Sequence, residues 1–239
     1  MNNQIFGGAR PSLTDLWRLT PDEKPSAPEA LAADRGRLFT EIVTRRIVLT
    51  GPPSSGKTTN TDFLDAAGFD TQAEAARLVL SVATRHGYST AEIFDPAHLE
   101  ARQSKIFFRG LAQELEIDPD RPSVMDRSFL DAIPFSAALG MDTSSWLGYA
   151  KLFRYQQVVY LEPLPLVGDA ERPVDPEFAA LCRRVDELSR DFWNSLGYRP
   201  IYIPALDSSG SVLSIPKRLG LVARALGFSP ESAAALRFP

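Results

Sequence analysis

The run Gly51-Pro52-Pro53-Ser54-Ser55-Gly56-Lys57-Thr58-Thr59 fits the pattern G-x-x-x-x-G-K-[ST], whose chemistry is the binding of nucleotide phosphates. The glycines let the backbone curl so that successive N–H groups point at phosphate oxygens, and the start of a following helix adds its positive end. Lys57 is placed to reach the β- and γ-phosphates, and the Thr58 hydroxyl to ligate Mg²⁺. With 15 glycines in 239 residues, chance supplies the four fixed residues of the pattern only about 0.003 times in such a chain. The motif alone does not say whether the γ-phosphate goes to water or to a second substrate.

A second group with chemistry is Val124-Met125-Asp126-Arg127-Ser128, an apolar run ending in a carboxylate and a guanidinium. Open α/β sheets bind their ligands at the carboxyl edge, where such a pair would sit. Asp126 then has one of two jobs, Mg²⁺ binding through water or acceptance of the proton of an attacking hydroxyl, with Arg127 clamping the phosphoryl group as it moves. The alternative is a structural salt bridge at a strand end. Downstream, the Pro/Gly-punctuated segment from Glu162 to Asp175 suits a lid. A hydroxyl acceptor must be shielded from water, so a kinase needs a flap carrying a cation for the transferring phosphate. Arg172 is the candidate, with Arg183 and Arg184 as neighbours, against the alternative of an ordinary loop with solvated charges. Glu74 and Arg77, three apart and hence on one helix face, and Gln103 in mid-helix are candidates for the acceptor side, or else surface groups.

These groups need a scaffold that brings distant segments to one edge. From residue 45 onward, short β-branched runs alternate with helical patterns, the signature of a parallel sheet built from βαβ units. Strands are expected at 47–50, 123–125, 157–161 and 201–203, with a weaker fifth at 68–71. Between them Leu99, Gln103, Ile106, Phe107, Leu111 and Leu115 recur at helical spacing, as do Phe178, Leu181, Cys182, Val185, Leu188 and Phe192. Gly68, Gly140 and Gly197 are read as helix stops, Cys182 as a small core hydrophobe, and His86 as structural. Trp146, Tyr149, Phe153 and Tyr155 are read as core, with a stacked planar ring as the alternative. Residues 1–44, broken by Pro11, Pro21, Pro25 and Pro28, form an N-terminal extension ahead of a domain at 45–239. It is either a flexible tail or an arm in which Ser12 or Thr14 caps a short helix and Leu16 and Trp17 pack on the body.

Composition excludes several partners. The chain has 44% hydrophobic and 23% charged residues, a globular balance. Its 26 Lys+Arg against 30 Asp+Glu give a net charge of −4, so no global positive field draws it to nucleic acid or anionic lipid. Cys182 is the sole cysteine, which forbids an intrachain disulfide, and two histidines leave no conventional zinc set. No signal pattern and no apolar run of about 18 residues is present, and a reducing cytoplasm is expected.

The segments TGPPSSGKTT, Glu74-Ala75-Ala76-Arg77, MDRSFLD (125–131), VVYLEPLP, GDAERPVD and LGYRPIYIP together resemble the P-loop "AAA domain" family related to the ribosylnicotinamide kinase domain of NadR, which lacks the hexameric AAA+ machinery. The resemblance spans about residues 45–226. It implies a three-layer αβα P-loop NTPase fold with a parallel five-stranded sheet, nucleoside/nucleotide kinase-like with a lid segment, and ATP and Mg²⁺ as cofactors. It also parallels Asp126-Arg127 with the Asp/Glu-Arg pair of deoxynucleoside and nucleotide kinases, whose carboxylate acts as base. On the same ground Glu74, Arg77, Gln103 and Asp131 fall at the acceptor pocket. Pro52-Pro53 depart from the family by stiffening the entry of the loop.

The expected function is ATP-dependent transfer of the γ-phosphate to a hydroxyl of a small molecule, nucleoside-like or another alcohol-bearing metabolite. The alternative is a nucleotide-dependent switch acting on a partner or lipid, since the family includes a GTPase-like member that binds phosphoinositides. No Asn-Lys-x-Asp guanine-reading motif occurs, which favours ATP over GTP.

Overall fold

The computed structural model describes residues 10–18, 41–165 and 175–228. Arg172 and most of the expected lid lie outside them. Among the described residues the strands are β1 (Ile42–Val43), β2 (Arg46–Thr50), β3 (Thr71–Gln72), β4 (Ser123–Asp126), β5 (Phe153–Arg154), β6 (Gln157–Leu161) and β7 (Ile201–Ile203). The α-helices are α1 (Leu13–Leu16), α2 (Lys57–Ala66), α3 (Ala75–Arg85), α4 (Thr90–Ile93), α5 (Leu99–Glu116), α6 (Ala132–Ala138), α7 (Pro176–Ser195) and α8 (Ile215–Ala225).

The main sheet has the order β3-β4-β2-β6-β7, and every pairing is parallel. Parallel neighbours cannot be joined by a hairpin, so each connection crosses over the sheet. The central strands are buried on both faces, which is why RIVLT and QVVYL read as continuous apolar runs. Side chains alternate along them. Val48, Met125 and Val158 enter a core with Phe107, Phe129 and Trp193, beneath α5, α6 and α7. Leu49, Val124 and Val159 enter the opposite core with Leu64 of α2 and Val222 of α8. These two cores make the fold a three-layer αβα sandwich.

Caps fix the helix starts. Ser89 and Glu92 form a capping box on α4, and Asp175 accepts from the Phe178 N–H at 2.6 Å ahead of Pro176 on α7. Gly68, Gly140 and Gly197 all have positive φ just past helix ends, as expected. The strand placed at 68–71 is corrected: Gly68 closes α2, its N–H bonded to the Asp65 carbonyl at 2.8 Å, so pairing with β4 begins only at Thr71. Leu115, expected on the buried stripe of α5, is 47% exposed, whereas Glu114 beside it is 1% exposed. Trp146, Tyr149, Phe153, Tyr155 and Cys182 are buried core, and Phe107 stacks on Trp146 at 4.5 Å.

A second, two-stranded parallel sheet pairs Ile42 with Phe153 and Val43 with Arg154, which brings residues ahead of 45 into the body of the domain. Segment 10–18 also packs on it. Ser12 caps α1, Trp17 (2% exposed) packs with Val79, Ala83 and Ile93, and the Arg10 guanidinium lies over the Tyr88 ring. Among the described residues no helix is long and apolar enough to cross a membrane.

Candidate active site

The phosphate-binding run leaves the carboxyl end of β2 and enters α2. Gly51 has φ +137°, and a Cβ there would lie 2.3 Å from the Leu161 carbonyl oxygen, so β6 approaches too closely for any side chain. Ser54 also adopts a positive φ of +60°. Gly56 (φ +81°) stands at the N-cap of α2. The Lys57 ammonium donates to the Pro52 carbonyl at 2.7 Å and to the Ser55 hydroxyl at 2.9 Å, which keeps it curled over its own loop. Burial, helped by the nearby Arg127 charge, lowers its pKa to about 7. Thr59 is exposed on α2.

The Thr58 hydroxyl donates to Asp126 Oδ2 at 2.8 Å. Asp126 Oδ1 is buried with no hydrogen-bond partner, and burial followed by the charge of Glu74 raises the pKa of this carboxyl. Among the described residues no group of three or more His, Cys, Asp or Glu could hold a metal by itself. A hydroxyl and one carboxylate with a spare oxygen instead fit Mg²⁺, which keeps waters and takes its remaining ligands from phosphates.

Arg127 follows at the end of β4 with φ +67°, a conformation uncommon for a residue with a side chain. Its N–H bonds to the Leu49 carbonyl at 3.0 Å. The guanidinium pairs with Glu74 at 2.8 Å and reaches Asp131 at 3.9 Å. Glu74 is the N-cap of α3 rather than a member of a helix face shared with Arg77, as expected from the spacing. Arg77 is exposed and takes no part in the site. Asp131, expected on the acceptor side, lines the cavity beside Arg127 and Glu74 and is held in place by its own hydrogen bonds. Its Oδ1 accepts from the Thr50 hydroxyl and, at 3.5 Å, the Trp193 indole, and its Oδ2 accepts from the Ser128 N–H at 2.9 Å.

Beside this pair lies a cavity of about 100 Å³ between α3, α5 and α6, whose lining includes the polar residues Glu74, Arg127, Asp131 and Gln103 and the apolar residues Leu80, Ile106 and Phe135. Gln103 is 4% exposed and accepts from the Ser136 hydroxyl at 3.3 Å. Asp126 does not line it. A second cavity, about 350 Å³, lies against the phosphate loop at Pro53 and includes Leu164, Cys182, Arg183 and Leu206. Arg183 is thus brought to the loop, whereas Arg184 pairs with Glu187 on the surface at 4.0 Å.

Arg218 and Glu114 are buried charges that the sequence does not single out. Arg218 of α8 donates to the Ser55 carbonyl at 2.7 Å. No local pattern marks it, since the contact joins residues 163 apart. Glu114 bonds the Tyr155 hydroxyl at 2.8 Å and the Phe129 N–H at 2.9 Å and lies 3.4 Å from Arg46. Its signal was available, because it falls on the stripe of Gln103, Phe107 and Leu111 at helical spacing.

The family of AAA domains matches residues 46–211. No curated protein matches the chain. Among solved structures, thymidylate kinase from Ehrlichia chaffeensis is similar at 16% identity and a TM-score of 0.49, over 77% of this chain and 98% of that one. Deoxyadenosine kinase from M. mycoides is similar at 14% identity and a TM-score of 0.45, over 76% and 98%.

Proposed function

We propose that this chain, which belongs to the AAA domain family, is an ATP-dependent kinase that transfers the γ-phosphate to a hydroxyl of a small molecule. The observation that carries the reading is the split between Asp126 and Arg127. One faces the phosphate loop through Thr58, and the next pairs with Glu74 on the wall of an apolar cavity. Donor and acceptor sides are therefore joined at one peptide bond.

In this reading the loop residues 51–59 cradle the nucleotide phosphates, and Lys57 exchanges its bonds to Pro52 and Ser55 for charged phosphate oxygens. Thr58 and Asp126 would hold Mg²⁺, which would supply positive charge against the nucleotide phosphates. Of the two jobs expected of Asp126, the metal job suits it, because Thr58 occupies one oxygen and the carboxylate stands away from the cavity. Glu74 takes the proton of the acceptor hydroxyl. Arg127, held by Glu74 and Asp131, stabilises the moving phosphoryl group, with Arg183 approaching over Pro53 and Arg172 assigned the same role in the lid. Gln103 offers its amide to a polar edge of the acceptor, whose remaining surface meets apolar walls.

The test is ADP release from Mg·ATP across a panel of nucleosides, sugars and amino alcohols, with Lys57→Ala as the blank. Acceptor-stimulated release that vanishes in the variant supports the kinase. Slow release unaffected by every acceptor supports the switch and overturns the kinase.

A further inference from the structure

Arg218 lies in the first turn of α8 and is 3% exposed. Its Nη1 donates to the Ser55 carbonyl at 2.7 Å, its Nη2 to Glu162 at 2.9 Å and Ile203 at 3.4 Å, and its Nε to Pro204 at 3.1 Å. All four acceptors are backbone carbonyls, drawn from the phosphate loop and from the carboxyl ends of β6 and β7. Carbonyl dipoles solvate the cation without neutralising it. The Glu162 carboxylate, whose charge acts on Arg218, is itself paired with Arg190 at 3.8 Å. A positive charge therefore stands directly behind the loop, and a Cβ at Gly56 would lie 3.5 Å from its Nη1.

The Ser55–Gly56 peptide is the one whose orientation this contact sets. The peptide is trans, and in a planar trans peptide the C=O and N–H point to opposite sides. With the Ser55 oxygen held toward Arg218, the Gly56 N–H is turned away from it. Glycine accepts either sign of φ, so this peptide would flip readily if nothing held its oxygen. Gly56 is also the N-cap of α2, where free N–H groups and the helix dipole receive anions.

We infer that Arg218 is a positioning residue for nucleotide phosphate: it pins the Ser55–Gly56 peptide so that the Gly56 N–H is presented to the phosphates, and it locks the loop to the strand ends behind it. The inference rests on the proposed nucleotide reading of the loop. Without the guanidinium the peptide samples the flipped state, in which a carbonyl faces the anion in place of an N–H.

The experiment measures dissociation constants of the full chain for ADP and for inorganic tripolyphosphate by calorimetry. It compares wild type, Arg218→Met and Val222→Ala, the last a fully buried core position on the same helix. Arg218→Met is expected to weaken both ligands by about tenfold or more, the loss of one charge-assisted hydrogen bond. Val222→Ala is expected to lower the thermal midpoint while leaving both constants unchanged. Equal affinities in wild type and Arg218→Met overturn the inference, as does weakening of ADP alone, which would place the effect on the base and not on the phosphates. Weakening by Val222→Ala to the same degree also overturns it, because general loosening of α8 would then suffice. Where Arg218→Met does not fold, Arg218→Lys keeps the charge but cannot span four carbonyls, and unchanged affinity in that variant refutes the pin. A wild-type chain that binds neither ligand overturns the nucleotide reading and the inference with it.

Discussion

The Thr58 hydroxyl and the Asp126 carboxylate meet at 2.8 Å, fastening the first turn of α2 to the end of the strand beside β2. The register explains the contact: Leu49 lies opposite Asp126 in the sheet, so the loop leaving β2 at Gly51 starts two residues beyond the level of the carboxylate. The bond leaves the second carboxylate oxygen buried and free.

That free oxygen predicts a metal dependence. Asp126→Asn retains an acceptor for Thr58 but removes the charge, and the Mg²⁺ concentration giving half-maximal ADP release should rise about 10–100-fold. Nucleotide binding measured without Mg²⁺ should be unchanged. A Mg²⁺ titration that superimposes on wild type would refute the metal role.

Glu74 carries a separate prediction. Glu74→Gln should lower acceptor-dependent turnover by about 10²–10⁴-fold, the usual cost of losing a general base, with ATP affinity unaffected. Initial rates at saturating acceptor decide it. Near-normal turnover in Glu74→Gln would return the base role to Asp126.

Glu114 predicts how stability varies with pH. Burial is the main cause that pushes its carboxyl up to about 7 from 4.5, against the opposing pull of the Phe129 N–H, Tyr155 and Arg46. Between those two values the folded chain keeps a proton that the unfolded chain has released. Its stabilising contribution, at most about 3 kcal/mol, is therefore fully present below about pH 4.5 and is lost as pH rises through about 7. Urea midpoints should fall from about pH 5 to about pH 8, and fall less in Glu114→Gln. A steeper fall in the variant would mean that the ion pair with Arg46 outweighs burial.

Trp17 tests the N-terminal segment. Its ring fills the space between α3 and α4, so Trp17→Ala should cost about 3–5 kcal/mol in urea unfolding. The indole N–H is buried without a partner, so Trp17→Phe should cost much less, because it removes that unmet donor along with some area. Equal stability of wild type and Trp17→Ala would show that the segment does not pack in solution.

The phosphate loop and the four main strands were legible in the sequence because their signals are local, a fixed spacing of Gly and Lys and short β-branched runs. Asp126 and Arg127 were legible as a pair at a strand end, but not their division of labour, which depends on Thr58 and Glu74 arriving from opposite sides. Glu74 read as a helix-face residue because spacing alone cannot tell an N-cap from the first turn. Asp131 was legible as an acceptor-side residue, but nothing in sequence announces that Thr50, Ser128 and Trp193 converge on it. Arg218 left no sequence signal, since its role consists entirely of carbonyls supplied by distant strand ends.

The parallel order of the sheet also governs when the nucleotide site can exist during synthesis. β2, which feeds the phosphate loop, has no partner near it in sequence. Arg46 waits for Ser123 and Ile47 for Gln157, and the carbonyl of Ser55 finds Arg218 only after a further stretch of chain. Such distant pairings are slow to close and leave strand edges open until they do. As the chain emerges from the ribosome, the glycine-rich loop is among the first parts of the domain to be made and among the last to be shaped. A nascent chain halted before Arg218 emerges would carry the complete loop sequence without its rear support, so nucleotide capture is tied to near-completion of the domain.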